Sequence, residues 1–159
     1  MTQINISINS ASTQSAIVEL TNKLGNLKPV MSSIGEYMLG EVRGRFDSET
    51  DPIGKPWAKL AEATIADKTR RQRSGQTRGG GSRARVNAAP NAILKSSFLL
   101  RDTIAYKASP FEVRVGTPQK YGVHHQYGTA RMPARPFLGY NDSDLKEIES
   151  IVVDALEIL

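Results

Sequence analysis

The sequence has no cysteine among its 159 residues. That excludes a disulfide framework, a zinc ribbon and any thiol nucleophile, and leaves the redox compartment open, because only the presence of cysteine would inform on it. Histidine is nearly as scarce: His124 and His125 are the whole supply. Adjacent side chains point to opposite faces of a strand and diverge by about 100° on a helix, so the pair is badly placed to share one metal. No neighbouring carboxylate completes a metal set, no Ser/His/Asp or paired-carboxylate spacing stands out, and Gly79-Gly80-Gly81-Ser82 lacks the Lys-Ser/Thr ending of a phosphate loop. The expectation is a protein that is not an enzyme and takes no cofactor. No apolar run approaches the roughly 18–20 residues needed to span a bilayer. The first residues, Met1 to Ile6, also lack the basic and apolar regions of a signal peptide, so the expected product is soluble, made in a cytoplasm and without membrane contact.

What remains is ordinary globular material: 39% hydrophobic, 23% charged, and of a length that suits a single domain over 1–159. The formal charge of +5 is unevenly spread. Between Asp67 and Val86 seven Lys and Arg face Asp67 alone, a local +6, whereas from Asp142 to Leu159 six acids face Lys146, a local −5. The chain is dipolar, and the question is what each pole meets.

Ile4, Ile6 and Ile8 alternate with polar residues as in a strand with one buried face. Ser10 or Ser12 can cap a helix carrying Ile17, Leu20 and Leu24 up to Gly25. A longer helix is expected from near Pro29, with Val30, Ile34, Tyr37, Met38, Val42 and Phe46 along one side. Asp51 to Trp57, with two prolines and a glycine, must turn, and Trp57 is expected to pin the turn to the core. A short helix through Leu60 to Lys68 then gives way to a mobile Arg/Gly-rich loop at about 69–86, which has too little apolar surface to offset the entropy of ordering. Ile104 to Ala108 and Phe111 to Val115 read as an antiparallel hairpin with Ile104, Tyr106, Phe111, Val113 and Val115 on its apolar face. A last helix from Asn141 or Ser143 places Leu145, Ile148, Val152, Ala155 and Leu159 on one stripe, with Asp144 and Glu147 near its positive end. The fold class is α+β: a small, mainly antiparallel sheet flanked by N-terminal and C-terminal helices.

Two regions are candidates for contact. The basic loop, with Arg70, Arg71, Arg73, Arg78, Arg83 and Arg85, can neutralise phosphates, dock on an acidic protein surface such as the terminal helix of a neighbouring subunit, or serve only as a solvated linker. It lacks interleaved aromatics, which disfavours a dedicated single-strand binder. The stretch Tyr121 to Gly128 is dense in residues that make contacts at little entropic cost, and the prolines of Met132 to Phe137 fix the directions of Arg135 and Phe137. These side chains either shape a contact surface or pack within the chain itself.

The ordered set Asp51-Pro52-x-Gly54-x-Pro56-Trp57-Ala58-x-Leu60, the basic loop, Leu94-x-x-Ser97-x-x-Leu100-Arg101-x-Thr103-Ile104, Val113-x-Val115-Gly116-Thr117, Tyr121, His125-Gln126-Tyr127-Gly128 and Pro133-Ala134-Arg135-Pro136-Phe137-Leu138-Gly139 resembles the phage virion morphogenesis family, which includes the Mu G-like and tail-completion proteins of tailed bacteriophages. The resemblance runs from about Asp51 to Gly139. One position departs: where the family carries a small turn residue after the Ser/Thr, this chain has Phe98, leaving open whether the turn differs or the helix continues. The resemblance implies a structural virion protein at the head-tail junction or tail end, made in the host cytoplasm. It implies a homo-oligomeric ring such as a hexamer, which completes the tail or joins it to the head through neck or tail-tube proteins. On that reading Tyr121, His125, Gln126, Tyr127, Arg135 and Phe137 shape the assembly interface. The rival is a neck module whose Arg-rich loop makes non-specific DNA contacts.

Overall fold

Leu27, Val30, Ile34, Met38, Val42 and Phe46 recur every three or four residues and are all buried, so one face of a long helix becomes the spine of the core. The computed structural model describes residues 2–4, 26–74, 89–95 and 98–157, together with Ser15, Val18 and Glu19. In chain order the elements are β1 (Thr2–Ile4), α1 (Lys28–Ser48), α2 (Glu62–Ser74), α3 (Leu99–Asp102), β2 (Ala105–Ser109), β3 (Glu112–Thr117), α4 (Gly122–Tyr127) and α5 (Asp142–Glu157). This is the expected α+β class. The rest of the expected first strand and most of the first helix, up to Gly25, lie outside the described residues.

Among the described residues the sheet has three antiparallel strands in the order β1-β3-β2, with Tyr106 and Ile4 both opposite Val115. Helix α1 lies across β2 and β3 and packs its other flank on α5. It begins with Pro29 in the first turn and ends where Glu49 takes a left-handed conformation (φ 59°). The Glu49 side chain holds that turn in place by accepting the Ile93 amide at 3.0 Å and pairing with Lys95 at 3.1 Å. The Asp51 turn is closed by its own carboxylate, which accepts the Ile53 and Lys55 amides, and Trp57 is buried with its indole N–H on the Pro136 carbonyl at 2.8 Å.

The approach of α1 to the sheet depends on Gly35. A Cβ there would lie 2.3 Å from Tyr106 Cδ2 and 2.7 Å from its Cγ, so the base of the ring, not a flexible tip, would have to move. Gly35→Ala adds about 1 kcal/mol of helix propensity and costs about 1–3 kcal/mol in overpacking. A net loss is expected in urea denaturation, and Tyr106→Ala in the same chain should remove most of it.

One sequence expectation changes and one open point closes. Phe111 leaves the apolar face and is 72% exposed, because Ser109 pairs with Glu112 and so Pro110 and Phe111 are the two turn residues rather than strand positions. At Phe98 the backbone is left-handed (φ 56°) and α3 starts only at Leu99, so the chain turns there and no helix continues through Phe98. A β-branched residue tolerates that conformation poorly and glycine adopts it freely. Phe98→Val should therefore be less stable than Phe98→Gly by about 1–2 kcal/mol.

Candidate assembly surface

Polar residues of high helix propensity, rather than burial, build α2. None of its described side chains is fully buried, yet Asp67 pairs with Arg70 and Arg71 one turn on. Lys68 donates to the Ala92 carbonyl, which fastens the helix to the 89–95 segment. These local contacts carry the helix to Ser74, so Thr69 to Ser74, expected in the loop, is helical, and Arg70, Arg71 and Arg73 ride on it. Arg78, Arg83 and Arg85 lie outside the described residues. Partial burial lowers the Lys68 pKa, partly opposed by Glu49 and reinforced by Arg135.

Opposite α2 stands α4 with the segment after it. Gly128 (φ 74°) ends the helix, and a Cβ there would meet the backbone at Ala134 N (2.7 Å) and Met132 O (2.9 Å), so only glycine fits. Thr129 and Met132 then exchange backbone bonds in a tight turn with Arg131 exposed at its tip, and the Arg135 amide returns to the His125 carbonyl at 2.7 Å.

The six residues singled out in the sequence fall into two groups. Gln126, Arg135 and Phe137 are buried within the chain. Gln126 accepts the amides of Phe137 and Leu138 and donates to the Leu138 carbonyl. Arg135 donates through Nε to the Ala58 carbonyl (2.8 Å) and through a terminal nitrogen to Lys59 (3.1 Å), and the Phe137 ring packs on Phe46. These three hold the shape of the surface from below. Tyr121 and Tyr127 are exposed, and His125 is half-buried with the Tyr121 ring edge-on at 5.9 Å.

Between the two walls lies a groove of about 720 Å³. Leu60, Leu94, Leu99, Leu100, Met132 and Pro133 give it an apolar lining, and Lys59, Lys68, Arg71, Arg131 and Arg135 surround it against the single carboxylate of Asp67. The periodicity of the sequence did not single out Lys59, Leu99 or Arg131. The adjacent leucines Leu99 and Leu100, which cannot both face one core, were the available signal. Among the described residues no cluster of His, Cys, Asp or Glu could hold a metal, and no helix is long and apolar enough to cross a membrane.

His125 lines the same groove, with its Nδ1 buried and, among the described residues, without a hydrogen-bond partner. Burial, then Arg135, then His124 lower its pKa. The unfolded chain, with a histidine pKa near 6.5, therefore takes up a proton that the folded chain refuses as pH falls, so this group's stability contribution is present above that value and shrinks below it. His125→Phe should flatten the fall in unfolding free energy between pH 7.5 and 5.5. An unchanged slope would contradict the assignment.

Residues 8–157 match the phage virion morphogenesis family. The chain belongs to that family. A curated relative, the Mu-like prophage FluMu G protein 1 of Haemophilus influenzae, is 32% identical over 125 residues, which cover 79% of this chain and 76% of the relative. No solved structure matches. Membership makes this chain a structural, virion-associated assembly protein of a bacteriophage, a role carried out by surfaces that meet other virion proteins.

Proposed function

We propose that this virion morphogenesis protein is a tail-completion or head-tail joining subunit that works without catalysis, as a homo-oligomeric ring contacting neck or tail-tube proteins. The observation that carries the reading is the family match across 8–157, which spans both walls of the groove. The geometry supports it. Gln126, Arg135 and Phe137 fix the 121–139 wall from inside, leaving Tyr121 and Tyr127, the latter 66% exposed, to face a partner. Exposed aromatics on a rigid base suit a protein interface.

In a phage carrying this chain, deletion of its coding sequence should leave filled heads and unattached or misfinished tails in electron micrographs, with restoration by the intact chain in trans. Normal, joined particles in the deletion would overturn the reading. Exposed Arg70 and Arg73 on α2 favour a second reading, contact with DNA in the neck. That version requires binding to duplex DNA that falls steeply with salt and is lost in Arg70→Ala/Arg73→Ala.

A further inference from the structure

Resting on the assembly reading, we propose that the groove between α2 and the 131–135 turn seats the outer face of α5 from a second copy of this chain. Complementary charge carries the first part of the argument. The groove presents five cationic side chains and one acid, and Asp67 is already engaged by Arg70 and Arg71. The outward side of α5 carries Asp142, Glu147, Asp154 and Glu157, all exposed, with Lys146 the only cation on the helix.

The second part is an electrostatic conflict within α5. A helix C-terminus is the negative end of the macrodipole and favours cations. The last turns of α5 instead carry Asp154 and Glu157, and no basic residue stands in its last turn. Among the described residues neither Asp154 nor Glu157 has an ion-pair partner to offset this arrangement. Cations supplied from outside, as by the groove rim, would relieve it.

Apolar complementarity is the third part. Val153 is 47% exposed on the same side of α5, with Glu149 and Glu157 four residues before and after it and Ser150 three before it, at helical-neighbour positions. An apolar knob inside an acidic ring matches an apolar lining inside a basic ring. The two most exposed apolar side chains among the described residues are Ile53, beside Asp51 whose carboxylate already accepts the Ile53 and Lys55 amides, and Phe111, beside Glu112 paired with Arg114, and neither brings such a surplus of acid. Groove and α5 face share no residue, so the contact is head-to-tail, the kind that closes into a ring when the rotation permits.

The chain's lack of cysteine makes the test clean. Leu99→Cys and Val153→Cys are prepared as separate proteins and mixed under mild oxidation. A covalent dimer well above that formed by either protein alone is expected. In parallel, Lys59→Glu/Arg131→Glu and Asp154→Lys/Glu157→Lys should each weaken self-association about tenfold in sedimentation velocity, and mixing the two should restore it. Circular dichroism of each variant confirms that it is folded. If the wild-type chain associates but shows neither cross-link nor response to charge reversal, this seat is wrong while the assembly reading stands. A chain that stays monomeric at all concentrations overturns the seat, and the deletion phenotype then judges the assembly reading separately. Loss of duplex DNA binding in Lys59→Glu/Arg131→Glu, with self-association unchanged, overturns it in favour of nucleic acid.

Discussion

Arg45→Met should cost about 3–5 kcal/mol of unfolding free energy, a large share of the roughly 5–15 kcal/mol that holds an ordinary domain folded. Arg45 is buried on α1 and donates to the carbonyls of Phe137 (3.2 Å) and Gly139 (2.8 Å) and to Asp144 Oδ2 at 2.9 Å. Asp144, 1% exposed, also accepts the Tyr37 hydroxyl and the Asn141 amide, while its own amide donates to Asn141 Oδ1. The last pair is a reciprocal cap at the start of α5, so one carboxylate joins helix initiation to the α1–α5 contact. Burial, followed by the bond to Asp144, pushes the Tyr37 pKa well up, which keeps the phenol a donor. Methionine fills the space but leaves the buried carboxylate without its cation and two carbonyls without a donor. Breaking a buried pair from one side is the costly operation, whereas replacing both partners by apolar groups is often close to neutral. Arg45→Met/Asp144→Leu should therefore recover a substantial part of the loss, although the cap at Asn141 goes with Asp144. Urea titrations of the two single variants and the double variant measure the coupling directly. A single-variant loss below about 1 kcal/mol would show that the pair is dispensable.

This pair also marks the boundary of what the sequence made legible. Apolar periodicity placed α1, α5 and the hairpin, because each hides one face and the hidden face writes its period into the residues. Arg45 and Asp144 are readable by the same rule, although in the sequence Asp144 reads only as an acid at the positive end of the last helix. Arg45 lies three residues after Val42 and seven after Met38, and Asp144 lies four before Ile148, so each is a charge inside an apolar stripe. Two opposite charges in two stripes that must face one core point to each other. The second half of α2, Thr69 to Ser74, was hidden for the opposite reason: it buries no face, and the ion pairs and the Lys68 anchor that carry it leave no periodic trace. The candidate surface was legible as a region but not in its layering. Tyr121 and Tyr127 face out, whereas Gln126 and Arg135 spend their polar atoms on the carbonyls and amides of Ala58, Lys59, Phe137 and Leu138. Backbone groups are the same at every position, so a side chain destined for them looks in sequence like one free to meet a partner.

Gln126→Leu isolates that layering. Leucine keeps the bulk and removes three hydrogen bonds: the amides of Phe137 (3.1 Å) and Leu138 (3.0 Å) lose their acceptor, and the Leu138 carbonyl loses its donor at 2.8 Å. A buried polar group left without a partner costs about 1–3 kcal/mol, so the expected loss is about 3 kcal/mol or more. Gln126→Glu retains an acceptor for both amides and forfeits the donor, so its loss should be visibly different in hydrogen exchange, with the Phe137 and Leu138 amides better protected than in Gln126→Leu. The single tryptophan provides a second readout, because Trp57 donates to Pro136 in the same segment and its fluorescence should shift as that segment loosens. Because the segment Gln126 holds continues from residues 131–135, which line the groove, Gln126→Leu should weaken self-association beyond what its folded fraction explains. A variant that unfolds more easily but associates normally when folded would restrict Gln126 to holding the core, and an unfolding loss below about 1 kcal/mol would mean that the backbone finds other partners.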